Sequence, residues 1–157
     1  DVLIQNSLKT LFEFSEQQKA DWVYGDFLRT NVNLSYLLGQ DYYGHQFGNS
    51  GDLLTSIFSG EHFFQQNCFY RKQLFDAAGG FDEKIQFCED LDLFVRFALT
   101  GYNPKYLPVS LYLHRFHENN MSKVYGRENN FEAHKEDLKT LYEKYRKSLK
   151  TLVPLKL

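Results

Sequence analysis

The chain has 157 residues, of which 43% are hydrophobic and 24% are charged, a composition that suits one globular domain and argues against a disordered protein. Its net charge is −2, and its basic residues form no stripe before residue 135, which argues against nucleic acid as the main partner. No apolar run reaches the roughly 18 residues that a membrane-spanning helix needs.

The first third of the chain predicts a helix, a buried strand and an irregular excursion. Apolar residues recur at helical spacing over residues 2–18, with Asp1 at the N-cap position. Trp22 begins a short buried strand that we expect Gly25 and Asp26 to end. Residues 27–50 have weak periodicity and indicate an irregular segment or a loose hairpin. Trp22, the only tryptophan, is expected in the core.

The remaining two thirds alternate helices and strands, which predicts the α/β class. Helices are expected over residues 52–58, 71–78, from about 89 to Gly101, and 127–149, and Gly79-Gly80 supplies a left-handed end to the second of them. Strands near 21–25, 63–70, 103–107 and 109–115 are expected to form a small mixed sheet with helices packed against it.

The two cysteines do not have the spacing of a metal or redox motif. Cys68 and Cys88 are far apart in the sequence and lie among apolar residues. We therefore expect reduced, buried thiols and a cytoplasmic protein.

Three carboxylates at the start of one predicted helix are the clearest candidate for chemistry. Glu89, Asp90 and Asp92 lie in its first turn, where the positive end of the helix stabilises anions. A carboxylate held in its ionised form is what a general base requires. Asp92 and Arg96 are four residues apart and can pair on the helix surface, which leaves Asp90 on another face. The alternative is an acidic turn that only caps the helix, and the residues themselves leave both interpretations open.

Several motifs in a fixed order resemble family 2 glycosyltransferases of the GT-A fold. They are Gly79-Gly-Phe-Asp-Glu83, Glu89-Asp-Leu-Asp-Leu-Phe-Val-Arg96, Gly101-Tyr102, a Tyr106-Leu-Pro strand and the ending Arg115-Phe-His-Glu-Asn-Asn-Met-Ser122. The resemblance is sharp over residues 67–122 and softer over 1–35. It implies a partial GT-A fold over residues 1–122, the acceptor-side half, followed by a C-terminal amphipathic helical extension over 123–157.

The resemblance also implies a reaction and roles for individual residues. The family transfers a sugar from a nucleotide-sugar to an acceptor hydroxyl with inversion, and its base matches Asp90. Glu89 would bind the acceptor or orient the base, and Asp92 and Arg96 complete the substrate-binding motif.

Three residues outside this motif are further candidates, each with a plainer alternative. By family resemblance His117 approaches the metal or the diphosphate, and its alternative is a strand-end histidine bonded to the backbone. Arg115 is a candidate contact to phosphate, or else a surface arginine. Asp26 is a candidate acceptor contact, or else a turn aspartate.

The resemblance leaves out the family's nucleotide-binding half. That half carries the Asp-x-Asp motif that holds Mg or Mn, and Asp1 resembles the aspartate of the helix start that follows it. We therefore expect a divalent metal in the full-length enzyme, none bound by this fragment, and negligible activity of the fragment alone. The surface left by the missing half predicts exposed sheet edge and self-association into a homo-oligomer.

The expected partners are a nucleotide-sugar donor and a glycan or lipid-linked acceptor. One alternative is a non-catalytic carbohydrate-binding or interaction module of the same fold. Another is a protein peripheral to the membrane, because the last predicted helix carries Lys135, Lys139, Lys144, Arg146, Lys147 and Lys150. Acidic residues are interspersed among them, which favours a solvated packing helix.

Overall fold

The computed structural model describes residues 1–59, 67–85, 88–120, 136 and 138–149. The described strands are β1 Val2–Leu3, β2 Trp22–Thr30, β3 Cys68–Tyr70 and β4 Lys105–Arg115, in the sheet order β1-β4-β2-β3. The helices are α1 Ser7–Gln18, α2 Ser50–Ser59, α3 Lys72–Ala77 and α4 Glu89–Leu99, followed by a helical segment over residues 138–149. β4 pairs antiparallel with β1 and parallel with β2, so the sheet is mixed and the α/β class is confirmed.

The chain divides into two compact units. The sheet unit takes the described residues of 1–46, 67–69 and 104–131, and it includes β1, β2, β4 and α1. The helical unit takes the described residues of 47–66, 70–103 and 132–157, and it includes α2, α3, α4 and the helical segment 138–149.

The core of the sheet unit is built on β2, which is longer than the sequence predicts. Trp22, as expected, is buried, and Val23 packs with residues of α1 and β4. The strand continues through Gly25 to Thr30 instead of ending at Gly25 and Asp26. Gly25 is needed for close approach, because a Cβ there would lie 2.9 Å from the carbonyl oxygen of Leu107 and 2.6 Å from the Leu111 side chain.

The N-terminal residues form a strand where a helix was predicted. Val2 and Leu3 pair with Leu113 and Tyr112 at the edge of the sheet, and α1 begins only at Ser7. The carboxylate of Asp1 accepts the backbone N–H of Arg115 at 2.8 Å and is not a helix cap. The prediction was wrong because two adjacent apolar residues fit a strand as well as a helix, and here their backbone groups pair with β4.

The excursion after β2 has hairpin character, as expected. Phe27 bridges to Tyr42 and Thr30 bridges to Tyr36, both antiparallel. The rings of Phe27 and Tyr42 stack with centroids 5.0 Å apart. These contacts fold the excursion back along the second half of β2.

Strand β4 runs unbroken through the position where two strands were expected. Gly25 pairs with Leu107 and Asp26 with Ser110, so the register shifts across Pro108 and Val109. Because proline has no N–H to give the ladder, this irregularity accommodates Pro108 without ending the strand. The strand expected over 63–70 is seen at Cys68–Tyr70, and its earlier part lies mostly outside the described residues.

The helical unit confirms the predicted helix ends. Gly79 and Gly80 follow α3 with φ of 83° and 71°, and Gly101 follows α4 with φ of 92°. The apolar faces of α2 and α4 are buried, as are Leu141 and Leu149 of the segment 138–149. The expected helix 127–149 is thus seen over its second half, and the rest lies outside the described residues.

Two further observations concern the thiols and membranes. Cys68 and Cys88 are reduced thiols, as expected, but they are half-buried rather than buried. Within the part of the chain that the structure describes, no helix has both the length and the apolar character needed to cross a bilayer.

Candidate active site

The first turn of α4 holds three carboxylates in unlike surroundings. Glu89 and Asp90 are half-buried, whereas Asp92 is completely buried. Cys88, immediately before the helix, has a left-handed backbone with φ of 61°, and its carbonyl accepts the N–H of Asp92 at 2.8 Å. The turn is therefore closed by the residue that precedes the acidic pair.

Asp90 is oriented by the backbone of its own helix. Its Oδ1 accepts the N–H of Leu91 at 2.7 Å. An amide N–H at a helix N-terminus favours the anionic carboxylate, as does the helix dipole. This geometry suits a group that accepts a proton from a ligand.

Asp92 is engaged by three side chains. Its Oδ2 accepts from Arg96 Nε at 2.9 Å, and its Oδ1 accepts from Lys144 Nζ at 2.8 Å and Tyr145 OH at 2.7 Å. The predicted pairing with Arg96 is confirmed, although the carboxylate is buried and not on the helix surface. Arg96 also donates to the carbonyl of Ala78. These contacts give Asp92 and Arg96 a structural role within the protein, and the substrate-binding role of the two residues stays a prediction.

An open cleft of about 360 Å³ lies beside this network, lined by residues 79–83 with Arg96, Lys144 and Tyr145. Lys144 also donates to Asp82 at 2.8 Å, so one ammonium group joins the loop after α3 to α4. The sequence predicts Lys144 as one of the basic residues on a solvated or lipid-facing helix. Its partners were missed because no local spacing relates residue 144 to residues 82 and 92.

The pKa values of the cluster follow from these contacts. Burial lowers the pKa of Lys144, but its hydrogen bonds to Asp82 and Asp92 outweigh burial and raise that pKa above its usual range. The hydrogen bond from Lys144 lowers the pKa of Asp82. Burial, and then the hydrogen bond to Asp92, raise the pKa of Tyr145. Lys144 is therefore held as a cation and Tyr145 as a neutral donor.

Asp26 lies inside β2, at the register shift, and not at a strand end or in a turn. It is 5% exposed and accepts the N–H of Gly44 and the hydroxyl of Tyr106, both at 2.8 Å. The Tyr24 ring packs against Tyr106 with centroids 5.3 Å apart, and its hydroxyl donates to the His45 carbonyl. Burial and then the Asp26 hydrogen bond raise the pKa of Tyr106 to about 12. Asp26 thus anchors the excursion to the sheet.

Arg115 and His117 lie at and just beyond the end of β4. The Nδ1 atom of His117 accepts the N–H of Asn119 at 3.2 Å, which in the neutral ring places the proton on Nε2. The side-chain oxygen of Asn120 accepts the backbone N–H of His117, and its side-chain nitrogen donates to the Arg115 carbonyl at 3.1 Å. The guanidinium Nε of Arg115 is buried without a hydrogen-bond partner among the described residues.

The candidate residues thus fall into two groups. Glu89, Asp90, Asp92 and Arg96 lie together on α4 in the helical unit. Asp26, Arg115 and His117 belong to the sheet unit. The α4 residues form one local cluster, whereas Asp26 lies at the register shift of β2 and contacts Gly44 and Tyr106, apart from the end of β4 where Arg115 and His117 lie.

A divalent ion was expected in the complete enzyme, with His117 as a candidate ligand. Within residues 1–59, 67–85, 88–120, 136 and 138–149, no group of three or more His, Cys, Asp or Glu side chains could hold a metal ion. His117 as bonded presents an N–H at Nε2 rather than a lone pair. These residues do not fit a metal site by themselves.

No family model matches this chain, and no curated protein matches its sequence. The motifs of the sequence and the geometry of the first turn of α4 are therefore the basis for assigning a function.

Proposed function

We propose that the chain is the acceptor-side part of an inverting glycosyltransferase with a partial GT-A fold, in which Asp90 is the general base. The observation that carries this proposal is the contrast in burial and pairing among the three carboxylates in the first turn of α4. Asp92 is buried and paired with cations, while Glu89 and Asp90 keep solvent access at the same helix end. In the same proposal, residues 1–122 form the acceptor-side half and 123–157 a helical extension.

The reaction is a single displacement. Asp90 takes the proton of an acceptor hydroxyl as the hydroxyl oxygen attacks the anomeric carbon of the nucleotide-sugar. A new glycosidic C–O bond forms while the bond from the anomeric carbon to the diphosphate oxygen breaks, and the nucleoside diphosphate leaves with that electron pair. Attack from the opposite face inverts the configuration. Glu89, adjacent to Asp90, orients the acceptor, a glycan or lipid-linked sugar.

The test measures nucleoside diphosphate release from a panel of nucleotide-sugars, using the protein expressed from its complete gene. Loss of a general base typically lowers the rate by about 10²–10⁴-fold, so Asp90→Asn should do so. Asp76→Asn is the matched control, because Asp76 is an exposed carboxylate of α3 that pairs only with Lys72 in the described residues.

Both variants should remain folded by circular dichroism. Release that persists unchanged in Asp90→Asn removes Asp90 from the mechanism and directs attention to Glu89. No release with any donor from the folded native protein contradicts the transferase proposal as a whole.

The second candidate is a carbohydrate-binding module without catalysis, and one feature of the excursion favours it. The rings of Tyr36 and Tyr43 are 49% and 64% exposed, and both hydroxyls donate to Asp41. Exposed tyrosines that a shared carboxylate holds in place lose little side-chain entropy on binding a ligand. Tyrosine also combines an apolar ring with a polar end, which suits a sugar.

Glycan binding measured by calorimetry separates the two candidates. A binding module should bind a glycan without any donor, and Tyr43→Ala should weaken that binding at least about tenfold by removing one ring. Tyr102→Ala is the control, because Tyr102 is an exposed tyrosine outside the excursion. Equal effects of the two substitutions would contradict a binding role for Tyr36 and Tyr43.

A further inference from the structure

The helical segment 138–149 is joined to the acidic helix α4 by a polar cluster that surrounds the buried Asp92. We call it the Asp92 clamp and define it as Asp82, Asp92, Arg96, Lys144 and Tyr145. Two carboxylates meet two cations, and the one neutral member donates a hydrogen bond to the deepest carboxylate. Asp92 is 0% exposed, whereas the Lys144 side chain is 35% exposed.

The clamp acts at the place where the candidate base is held. Asp92 comes two residues after Asp90, and its N–H closes the first helical turn on the Cys88 carbonyl. Cys88 has a left-handed backbone, which a residue with a side chain adopts only at an energetic cost. A turn that begins with such a residue needs contacts from elsewhere to keep its geometry.

Lys144 and Tyr145 supply those contacts from a distant part of the sequence. Both reach Asp92 Oδ1, at 2.8 and 2.7 Å, and Lys144 also holds Asp82 of the loop after α3. One short stretch of the C-terminal segment thus fixes two of the motifs that carry the glycosyltransferase resemblance. Inside a protein such hydrogen bonds are stronger than in water, so they define a single arrangement.

We infer that Lys144 and Tyr145 are positioning residues, which act through Asp92 to set the first turn of α4 and the direction of Asp90. The catalytic consequence rests on the proposed function, whereas the positioning itself does not. Residues 138–149 are then part of the working site and not only an appended helix.

The experiment compares Tyr145→Phe, Lys144→Met and the conservative Lys144→Arg in the protein from the complete gene. The matched controls are Tyr142→Phe, whose ring packs edge-on to Phe58 at 5.9 Å, and Lys139→Met, whose ion pair with Glu136 is exposed. Each control removes the same chemical group from the same helical segment without touching Asp92.

The first measurement is backbone amide hydrogen exchange in α4. Loss of a clamp contact should speed exchange at Asp92 and Leu93 by about tenfold or more, while exchange at Thr100 changes little. Lys144→Arg should keep the exchange rate of the native protein, since the guanidinium also carries a positive charge and hydrogen-bond donors. Unchanged exchange at Asp92, or equal acceleration along the whole helix, would overturn the inference.

The second measurement is steady-state kinetics of nucleoside diphosphate release. A misplaced base should lower kcat by about 10-fold to 10²-fold with KM for the donor unchanged, and Lys144→Arg should recover most of it. An unchanged kcat in Lys144→Met would overturn the positioning of Asp90. If the native protein releases nothing, the proposed function fails, and the exchange data still decide whether the clamp sets this turn.

Discussion

Among the described residues, each unit of the molecule buries one aspartate, and the two carboxylates are accommodated by different means. In the sheet unit, the two donors that the described residues give to Asp26 are neutral, the Gly44 N–H and the Tyr106 hydroxyl. In the helical unit, Asp92 is held by the cations Arg96 and Lys144. A buried carboxylate can thus be satisfied by hydrogen bonds alone or by counter-charges.

The two solutions have different consequences. Neutral donors can serve an uncharged acceptor almost as well as a carboxylate, so the Asp26 site tolerates loss of charge. The cations around Asp92 need an anion, because removing one charge from the cluster leaves the opposite charges poorly compensated. Asp26 therefore ties chain segments together, whereas the Asp92 clamp also fixes the electrostatics of α4.

The largest effect should come from removing Arg96, the more buried of the two cations that pair with Asp92. Arg96 is 19% exposed and Asp92 is 0% exposed, so Arg96→Met leaves a buried carboxylate with Lys144 as its one remaining cation among the described residues. We expect a loss of about 3 kcal/mol in the free energy of unfolding, measured by urea denaturation. Lys72→Met, in the exposed pair with Asp76, should cost less than about 0.5 kcal/mol. Equal costs would refute the distinction between buried and exposed pairs.

The next prediction compares the same substitution at the two aspartates. Asp92→Asn should lower the free energy of unfolding by about 2 kcal/mol, because Arg96 and Lys144 lose their shared anion. Asp26→Asn should lower it by about 1 kcal/mol, because the new amide oxygen still accepts both hydrogen bonds. Chemical denaturation of both variants under identical conditions gives the difference. A larger cost at Asp26 would mean that its charge matters more than its hydrogen bonds.

Alkaline pH should weaken the sheet unit through Tyr106. Its folded pKa of about 12 exceeds the unfolded value of about 10, so its stabilisation is complete below pH 10 and is lost as the pH rises through 12. Tyr106→Phe should reduce the slope of the unfolding free energy against pH in this window, as followed by denaturation and tyrosinate absorbance; Tyr24, Tyr42 and Tyr112, whose pKa values are also raised, keep the remainder. A slope in Tyr106→Phe equal to that of the native protein would contradict this role of Tyr106.

The smallest effect is expected on the acid side, from His114. Burial lowers the pKa of His114, which lies against the rings of Phe27 and Tyr112. Its stabilisation is present above the unfolded pKa of about 6.5 and is lost as the pH falls through the lower folded value. His114→Asn should reduce the slope of the unfolding free energy against pH between about pH 5 and 7, measured by urea denaturation.

Local signals in the sequence predicted the helical unit better than the sheet unit. The ends of α3 and α4 follow from glycines with positive φ, and the Asp92–Arg96 pair follows from four-residue spacing. Both features depend only on neighbours in the sequence.

Features that depend on distant partners were missed. Gly25 suggested a strand end, but a glycine is needed there because β4 approaches too closely to leave room for a Cβ. Lys144 looked like a surface residue of an amphipathic helix, and only the fold shows that it reaches Asp82 and Asp92. The Asp26 partners lie 18 and 80 positions away, a separation that leaves no periodic trace.

The parallel pairing of β2 with β4 also has a kinetic consequence. Val23 pairs with Lys105, and α2, α3 and α4 all lie in the chain between them. The centre of the sheet therefore closes a long loop, whose entropic cost is met before its hydrogen bonds form. Helices built from local contacts should assemble first in refolding, and protection of the β2 amides should appear in a later, slower phase.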